Sequence, residues 1–452
     1  MNNIKQVMLF MCLMVTSLAC GPRAETIVEV VEDQDGWILM VDETPFMVNG
    51  MNWDYYPIGT NYEYSLWEES PEFIRAALDY EMGHLQHIGV NAIRVYTGIP
   101  REWIEYIHDN FGIHTMLNHS FGRYGLELDG EWVGNTEYSD PRVVELLLDE
   151  VSGLAREYKG TRGLLLYLLG NENNYGLFWD GPETEDIPVA DRNSTIRARH
   201  MYHLFNRAAL AVKEIDPDRP VAIANGDLLF LDIIIEELPD IDIFGANVYR
   251  GISFTDFYDL IKEEYGKPVL LTEFGADAWN ALTSEEDQLC QAYYKHGNWK
   301  EIYAYAAGMG KAGNSIGGFT FQSSDGWWKY GQTYDLDVHN TESTWFNGGY
   351  ECDFVEGENN MNEEWFGIMA KGPSMPNGVN KLYPRAAYYV IREAHRFNPY
   401  APRASLETLE EFFSTISLED AYERAKRGNL NETDSDENDT GSSSQSSNSG
   451  SH

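Results

Sequence analysis

The chain alternates between two hydrophobic periods. Short apolar runs bounded by polar or glycine residues recur at Phe46–Asn52, Ala92–Tyr96, His114–Asn118, Leu164–Leu169, Val221–Asn225, Ile243–Val248, Val269–Thr272 and Gly318–Phe321. Buried parallel strands read this way. Between them lie segments with apolar residues every three or four positions, clearest at Val143–Tyr158 and Ala198–Ile215 and weakest at Phe230–Leu238. That is the spacing of an amphipathic helix. Eight strand–helix units predict an α/β fold of the TIM type, a closed (β/α)₈ barrel, over an open doubly wound sheet. No Gly-rich phosphate loop follows the first strand, which counts against a nucleotide-binding fold.

The flanks of the repeat have their own patterns. WILMVDETPFMVNGMNW (37–53) reads as a hairpin running into the first strand. Ser323–Leu382 is rich in Gly, Asn, Trp and acidic residues and predicts a long insertion after strand eight. Loops after barrel strands lie on the active-site face, so this insertion is expected to wall the cleft. Tyr383–Phe397 reads as the closing helix and Leu406–Arg427 as an appended one. The barrel domain therefore spans 36–428. The tail, 429–452, has no aromatic residue and only Leu430 as a large aliphatic, so it is expected to be disordered.

At the other end, Lys5 followed by the apolar stretch Val7–Ala19 reads as an export signal over residues 1–19. It is too short to span a bilayer as a helix. Ser17-Leu18-Ala19-Cys20 resembles a bacterial lipobox. That resemblance implies lipidation of Cys20 and a secreted lipoprotein held at the outer membrane or cell surface. Simple cleavage near Ala19 or Ala24 is the alternative. Residues 20–35 read as an acidic leader. Of four cysteines, Cys290 and Cys352 lie in the barrel domain, as one disulfide or as a free pair. No Cys or His cluster has metal-ligand spacing, and no cofactor is expected.

Charge narrows the partners. The chain has 73 acidic and 32 basic residues, a net charge of −41. Such a surface repels nucleic acid, so no nucleic-acid partner is expected, and it argues against a strongly acidic polysaccharide. Aromatic residues make up 13% of the chain, enough both for a core and for platforms under sugar rings.

Two glutamates stand where catalysis in a barrel needs them. Leu164–Leu169 runs into Gly170-Asn171-Glu172, and Val269–Thr272 runs into Glu273-Phe274-Gly275. They follow the fourth and seventh predicted strands, roughly 34 residues per βα unit apart, near the length of one such unit. Glycosidic cleavage needs one carboxyl to protonate the leaving oxygen and a second to attack the anomeric carbon. Strand C-terminal ends are where a barrel presents such groups. Asn118 and His119, after the third strand, are further cleft candidates.

The motifs GVNAIRVY (89–96), LLLYLLGNEN (164–173), GANVY (245–249), PVLLTEFGAD (268–277) and GGFTF (317–321) resemble, in order and spacing, clan A retaining glycoside hydrolases, and most of all the barrel domain of glycoside hydrolase family 2. GVNAIRVY and the NVY…KPVLLTEFG stretch are also similar to the family 72 β-1,3-glucanosyltransferases. The resemblance implies Glu172 as acid/base and Glu273 as nucleophile. It implies that Asn171 bonds the sugar 2-hydroxyl, that Arg94 keeps Glu273 ionised, and that Tyr249 hydrogen-bonds Glu273. Family 2 tends to carry Trp where Phe321 stands, and Trp327 and Trp328 would supply that sugar platform. The expected activity is a retaining β-glycosidase on a neutral oligosaccharide or polysaccharide, with β-glucan favoured. The alternatives are a transglycosylase with the same two glutamates and a non-catalytic glycan-binding surface lipoprotein.

Overall fold

A computed structural model describes residues 25–96, 98–178, 188–329 and 331–428. The export signal, Cys20 and the tail 429–452 lie outside the described residues. Eight parallel strands form the centre: β1 (Val48–Asn52), β2 (Ala92–Val95), β3 (His114–His119), β4 (Leu164–Leu169), β5 (Val221–Ile223, resuming at Asn225–Gly226), β6 (Phe244–Asn247), β7 (Val269–Phe274) and β8 (Ser315–Thr320). They pair in the order β5-β4-β3-β2-β1-β8-β7-β6. The ring closes where β5 meets β6, through Ala222 opposite Ile243 and then Asn225 opposite Ala246. This is a TIM-type barrel, and every apolar run singled out in the sequence contributes one of its strands.

Helices α1 (Pro71–His87), α2 (Arg101–Phe111), α3 (Pro141–Tyr158), α4 (Asn193–Ile215), α5 (Leu231–Glu237), α6 (Phe257–Glu264), α7 (Gln288–Ala304) and α8 (Ala386–Ala394) surround the strands. Local chemistry starts several of them. In α1 and α3 a proline occupies the first turn, and the preceding Ser70 or Asp140 side chain accepts a backbone N–H, satisfying a donor that the helix leaves unpaired. One apolar shell of strand outer faces and helix inner faces, including Ile93, Leu117, Tyr167 and Leu271, fills the space between the layers.

A second apolar cluster fills the barrel interior. Val48, Ala92, Met116, Leu166, Ile243, Leu270 and Ile316 come from the strands, and Val28, Leu39 and Val41 come from beneath. The latter belong to an antiparallel sheet of Val28–Asp33, Gly36–Val41 and Thr44–Pro45. Its backbone is fastened to the residues that precede the strands, with Val28 N–H on the Asp218 carbonyl and Trp37 N–H on the Gly313 carbonyl. It therefore seals the N-terminal end of the barrel. The expected leader is corrected here: Val28–Asp33 is a strand, with Val28 buried and Glu29, Glu32 and Asp33 exposed. Its solvated acidic face made it read as irregular.

The segment after β8 carries a 3₁₀ turn at Glu363–Trp365 and a hairpin of Met369–Ser374 with Asn380–Pro384. Two ties hold it. Arg385 grips Asp325 through both terminal nitrogens, at 2.6 and 2.7 Å, with both residues about 1% exposed. Cys290 of α7 is disulfide-bonded to Cys352, which resolves the alternatives the sequence left open. The closing helix begins at Ala386, not Tyr383 as expected, because Pro384 favours an extended residue before it. The appended helix is broken in two, Leu406–Ser414 and a run from 418 to 428, by a turn at Thr415. Among the described residues no helix is long and apolar enough to cross a membrane.

Candidate active site

The strands leave the apolar interior at their C-terminal ends and there become polar. Strand alternation puts Ala92 and Arg94 on one face of β2, and Met116 and Asn118 on one face of β3. Arg94 is 0% exposed. A guanidinium in such a place has to be fully bonded to be tolerated. Its Nε and Nη2 donate to Asn118 Oδ1 at 3.2 and 3.0 Å, Nη2 also to Asn171 Oδ1 at 2.7 Å, and Nη1 to the Thr272 carbonyl at 3.1 Å and Glu273 Oε1 at 2.9 Å. One side chain from β2 thus gathers the ends of β3, β4 and β7.

Glu273 lies inside β7, at a place where the ladder slips. Ala246 faces Leu271, and the next residue, Asn247, faces Glu273, skipping Thr272. Such a bulge re-aims a side chain. Three donors converge on the Glu273 carboxylate: Arg94 Nη1 and the Tyr96 hydroxyl on Oε1, and the Tyr249 hydroxyl on Oε2 at 2.9 Å. Gly275 follows because nothing larger fits; a Cβ there would lie 2.0 Å from Lys295 Nζ and 2.5 Å from the Phe321 carbonyl.

Glu172 is presented differently. Its φ is +56°, a left-handed conformation that costs a non-glycine residue roughly 1 kcal/mol or more. The turn holding it is fastened on both sides. Asn171 N–H donates to Asn173 Oδ1 at 2.8 Å, Glu172 N–H to the Ala224 carbonyl at 2.8 Å, and Asn174 exchanges two bonds with Gly226. The Glu172 carboxyl is pushed up to about 7, first by burial and then by the charge of Glu273, against a lowering hydrogen bond from Asn247. The pair therefore divides into one carboxyl that keeps its proton to neutral pH and one that accepts from three donors. Opposed surroundings of this kind separate an acid from its partner.

Not all the expected residues serve alike. Arg94, Asn171, Glu172, Tyr249 and Glu273 are brought together. Asn118 is there too, as a bracket: its oxygen takes Arg94, and its nitrogen donates to the Gly170 carbonyl at 2.9 Å. His119 is a correction. Its Nε2 faces Glu150 of α3 at 3.4 Å and its Nδ1 accepts Phe121 N–H at 3.2 Å, so it belongs to the helix layer. The side chain following an inward Asn118 must point outward. Trp328 stands against Tyr56 with ring centroids 5.1 Å apart, whereas Trp327 stacks on His339 at 4.8 Å, in a column continued by Trp365.

Other residues were missed. Tyr96 donates its hydroxyl proton to Glu273, and the same hydroxyl lies 2.9 Å from Asn52 Oδ1; its signal was its place two positions after Arg94. Asn247 donates to Asn171 Oδ1 at 3.0 Å and accepts the Thr272 hydroxyl at 2.7 Å. Tyr124 accepts from Asn171 Nδ2 at 3.0 Å. Asp54, after β1, is raised to about 7 by burial, against the Tyr96 N–H it accepts and the charges of Arg94 and Lys371. The insertion adds Trp345 and Phe366, whose rings flank Tyr249 at 6.0 and 5.8 Å. As for metals, Glu25, Asp216 and Asp218 bring carboxylate oxygens within 4.8 Å of one another, at the opposite end of the barrel from the two glutamates.

No protein-family model matches the sequence, and no curated protein sequence matches it. Solved structures do. A β-glucuronidase 2 of Bacteroides uniformis, covalently bound to cyclophellitol-6-carboxylate aziridine, superposes with a TM-score of 0.54 at 14% identity over 82% of this chain and 37% of that one. The β-glucuronidase of Parabacteroides merdae with glycerol in its active site gives 0.50 at 12% identity, over 82% and 40%. A glycoside hydrolase family 2 β-galacturonidase of Eisenbergiella tayi bound to galacturonate gives 0.48 at 14%, over 83% and 55%. The chain spans about half or less of each of these structures. At such identities the first two likenesses speak to the fold alone, which is the barrel already described.

Proposed function

We propose that the protein is a retaining glycoside hydrolase acting on a β-linked neutral glycan. One observation carries the reading: the carboxyls at the ends of β4 and β7 have opposite surroundings. In the proposed reaction Glu172 gives its proton to the glycosidic oxygen as the bond to the anomeric carbon breaks. Glu273 forms a bond to that carbon from the other face. Glu172, now a base, then takes a proton from water, which displaces Glu273 and leaves the product with its original configuration. In this scheme Arg94, Tyr96 and Tyr249 hold the attacking carboxylate in position, and Asn171, bonded by Arg94 and Asn247, meets the sugar 2-hydroxyl.

The choice of a neutral sugar rests on charge. The solved structures named above are β-glucuronidases and a β-galacturonidase. Here the carboxyls of Asp54, Glu172 and Glu273 share the mouth, and Glu363, from the insertion, is raised by burial and by Glu273 against Lys329. The burial that raises Asp54, Glu172 and Glu363, and the charge of Glu273 that adds to it for the last two, would equally disfavour a uronate carboxylate. β-Glucan is the first candidate. An exported lipoprotein attached through Cys20 completes the reading, and the Cys290–Cys352 bond supports an oxidising compartment.

The test is turnover of aryl β-glycosides and of β-glucan, β-mannan and β-galactan, with glucuronides and galacturonides alongside. Early products are followed by NMR. Cleavage of a neutral glycoside with retained configuration is expected. A first product of inverted configuration, or cleavage of uronides alone, would overturn the assignment.

A further inference from the structure

Among the described residues, eight aromatic side chains are broadly exposed: Tyr62, Tyr124, Trp132, Tyr175, Phe178, Tyr293, Tyr334 and Phe346. Seven of them lie in loops that follow barrel strands, after β1, β3, β4 and β8; Tyr293, on α7, is the exception. None lies in a loop that precedes a strand. Scattered exposed rings need no explanation, but a gathering at one end of a barrel does. That end also holds the two glutamates.

The rings are ordered as well as gathered. On one side of the glutamates Tyr62 meets Trp328 at 5.9 Å and Trp328 meets Tyr56 at 5.1 Å. Tyr56 lies two residues after Asp54, which accepts the N–H of Tyr96, a partner of Glu273, so this row begins beside the carboxyls. On the other side the Tyr175 N–H donates to the Glu172 carbonyl at 3.1 Å. Three residues further on, Phe178 stacks on Phe230, from the β5 loop, at 5.7 Å and 17°. The two rows leave the carboxyls in opposite directions, one along the β1 and β8 loops and one along the β4 and β5 loops.

From this we infer that the barrel mouth is an open groove floored by aromatic rings on both sides of the glutamates, which binds a glycan chain several units long and cuts it internally. The inference rests on the hydrolase reading and adds the substrate's size to it. A ring offers a flat apolar face to the C–H faces of a pyranose. A site that removes one terminal sugar has use for rings on one side only. A groove ringed on both sides positions sugars ahead of and behind the broken bond. Binding energy from such remote units then goes into orienting the reacting one, so a short substrate loses kcat as well as KM.

The experiment measures kcat/KM of the full chain on oligosaccharides of two to six units derived from laminarin, β-mannan and β-1,4-galactan, with Glu273→Ala as the blank. On the series that is cleaved, a rise of at least about tenfold from disaccharide to pentasaccharide is expected, with products of intermediate length appearing first. Trp328→Ala on one side and Tyr175→Ala on the other should each remove most of that rise. Tyr62→Ala and Phe178→Ala repeat the test at a second ring of each row, and Tyr293→Ala should keep the full rise. A profile flat from two to six units, or release of single terminal units with the four groove variants behaving as wild type, overturns the inference while leaving the hydrolase intact. Hydrolysis of no series above the Glu273→Ala blank is a different result and removes both.

Discussion

The two ends of the barrel are built on the same eight strands and have opposite chemistry. At the lower end Val48, Ala92, Met116 and Ile316 close against Val28, Leu39 and Val41 of the sheet beneath. At the upper end the same strands present Asn52, Arg94, Asn118, Asn247 and Glu273, bonded into one network. On β2 only two residues, about 7 Å of strand, separate Ala92 from Arg94. The lower layer supplies stability through buried hydrocarbon, and it gives the upper layer a rigid base on which a buried charge, a left-handed Glu172 and a bulge at Glu273 can be held. Changes at the two ends should therefore separate activity from stability.

The largest effect expected is at the top. Glu273→Gln removes the proposed nucleophile but keeps an oxygen for Arg94 and Tyr96, and its amide N–H faces Tyr249, whose hydroxyl can turn to accept. Turnover should fall by about 10⁴-fold or more, while the melting temperature moves little. A comparable loss of melting temperature would show that Glu273 is a structural ion-pair partner. Next comes Glu172→Ala. Substrates with poor leaving groups should lose about 10² to 10⁴ in rate, substrates with good leaving groups should still form the glycosyl-enzyme, and added azide should speed its breakdown. Equal losses on both kinds of substrate would remove Glu172 from the acid role. The lower end should respond in the opposite sense. Leu39→Ala, at a fully buried position, should cost about 2–5 kcal/mol of stability and leave kcat unchanged wherever the protein is folded. Denaturant unfolding and steady-state kinetics on one sample check both.

The same contrast explains what could be read from the sequence. The lower layer and the helix shell were legible because burial leaves a periodic trace: each apolar run became a strand. The two glutamates were legible because each ends such a run beside glycine. The network joining them was not. Arg94 meets Asn247 across 153 residues and Glu273 across 179, and no local pattern encodes a partner at that distance. Tyr96 went unassigned although it stands two positions after Arg94. His119 was put in the cleft because it sits at a strand end, when alternation after Asn118 turned it toward Glu150. The strand Val28–Asp33 was hidden because only one of its faces is covered.

The smallest effect is in the pH dependence, and it bears on which carboxyl does the work. Glu172 is raised from an ordinary value near 4.5 to about 7, by burial first and by Glu273 second. The proposed first step needs its proton, so kcat/KM on substrates with poor leaving groups should hold below about pH 7 and fall about tenfold per unit above it. The limb belongs to the pair, since the two carboxyls interact. In Glu172→Ala, on a substrate with a good leaving group, the limb should vanish. Linkage gives a second reading of the same proton. Between about 4.5 and 7 the folded chain holds a proton on Glu172 that the unfolded chain has released. The stability this provides is full below that window and is lost as the pH rises through it. Glu172→Gln has no such proton to lose, so its unfolding free energy should vary less across the window. Asp54 is the rival, a second carboxyl at the mouth raised to about 7. Should the alkaline limb persist in Glu172→Ala and disappear in Asp54→Asn, the acid would be the carboxyl after β1, and the division of labour between β4 and β7 would be wrong.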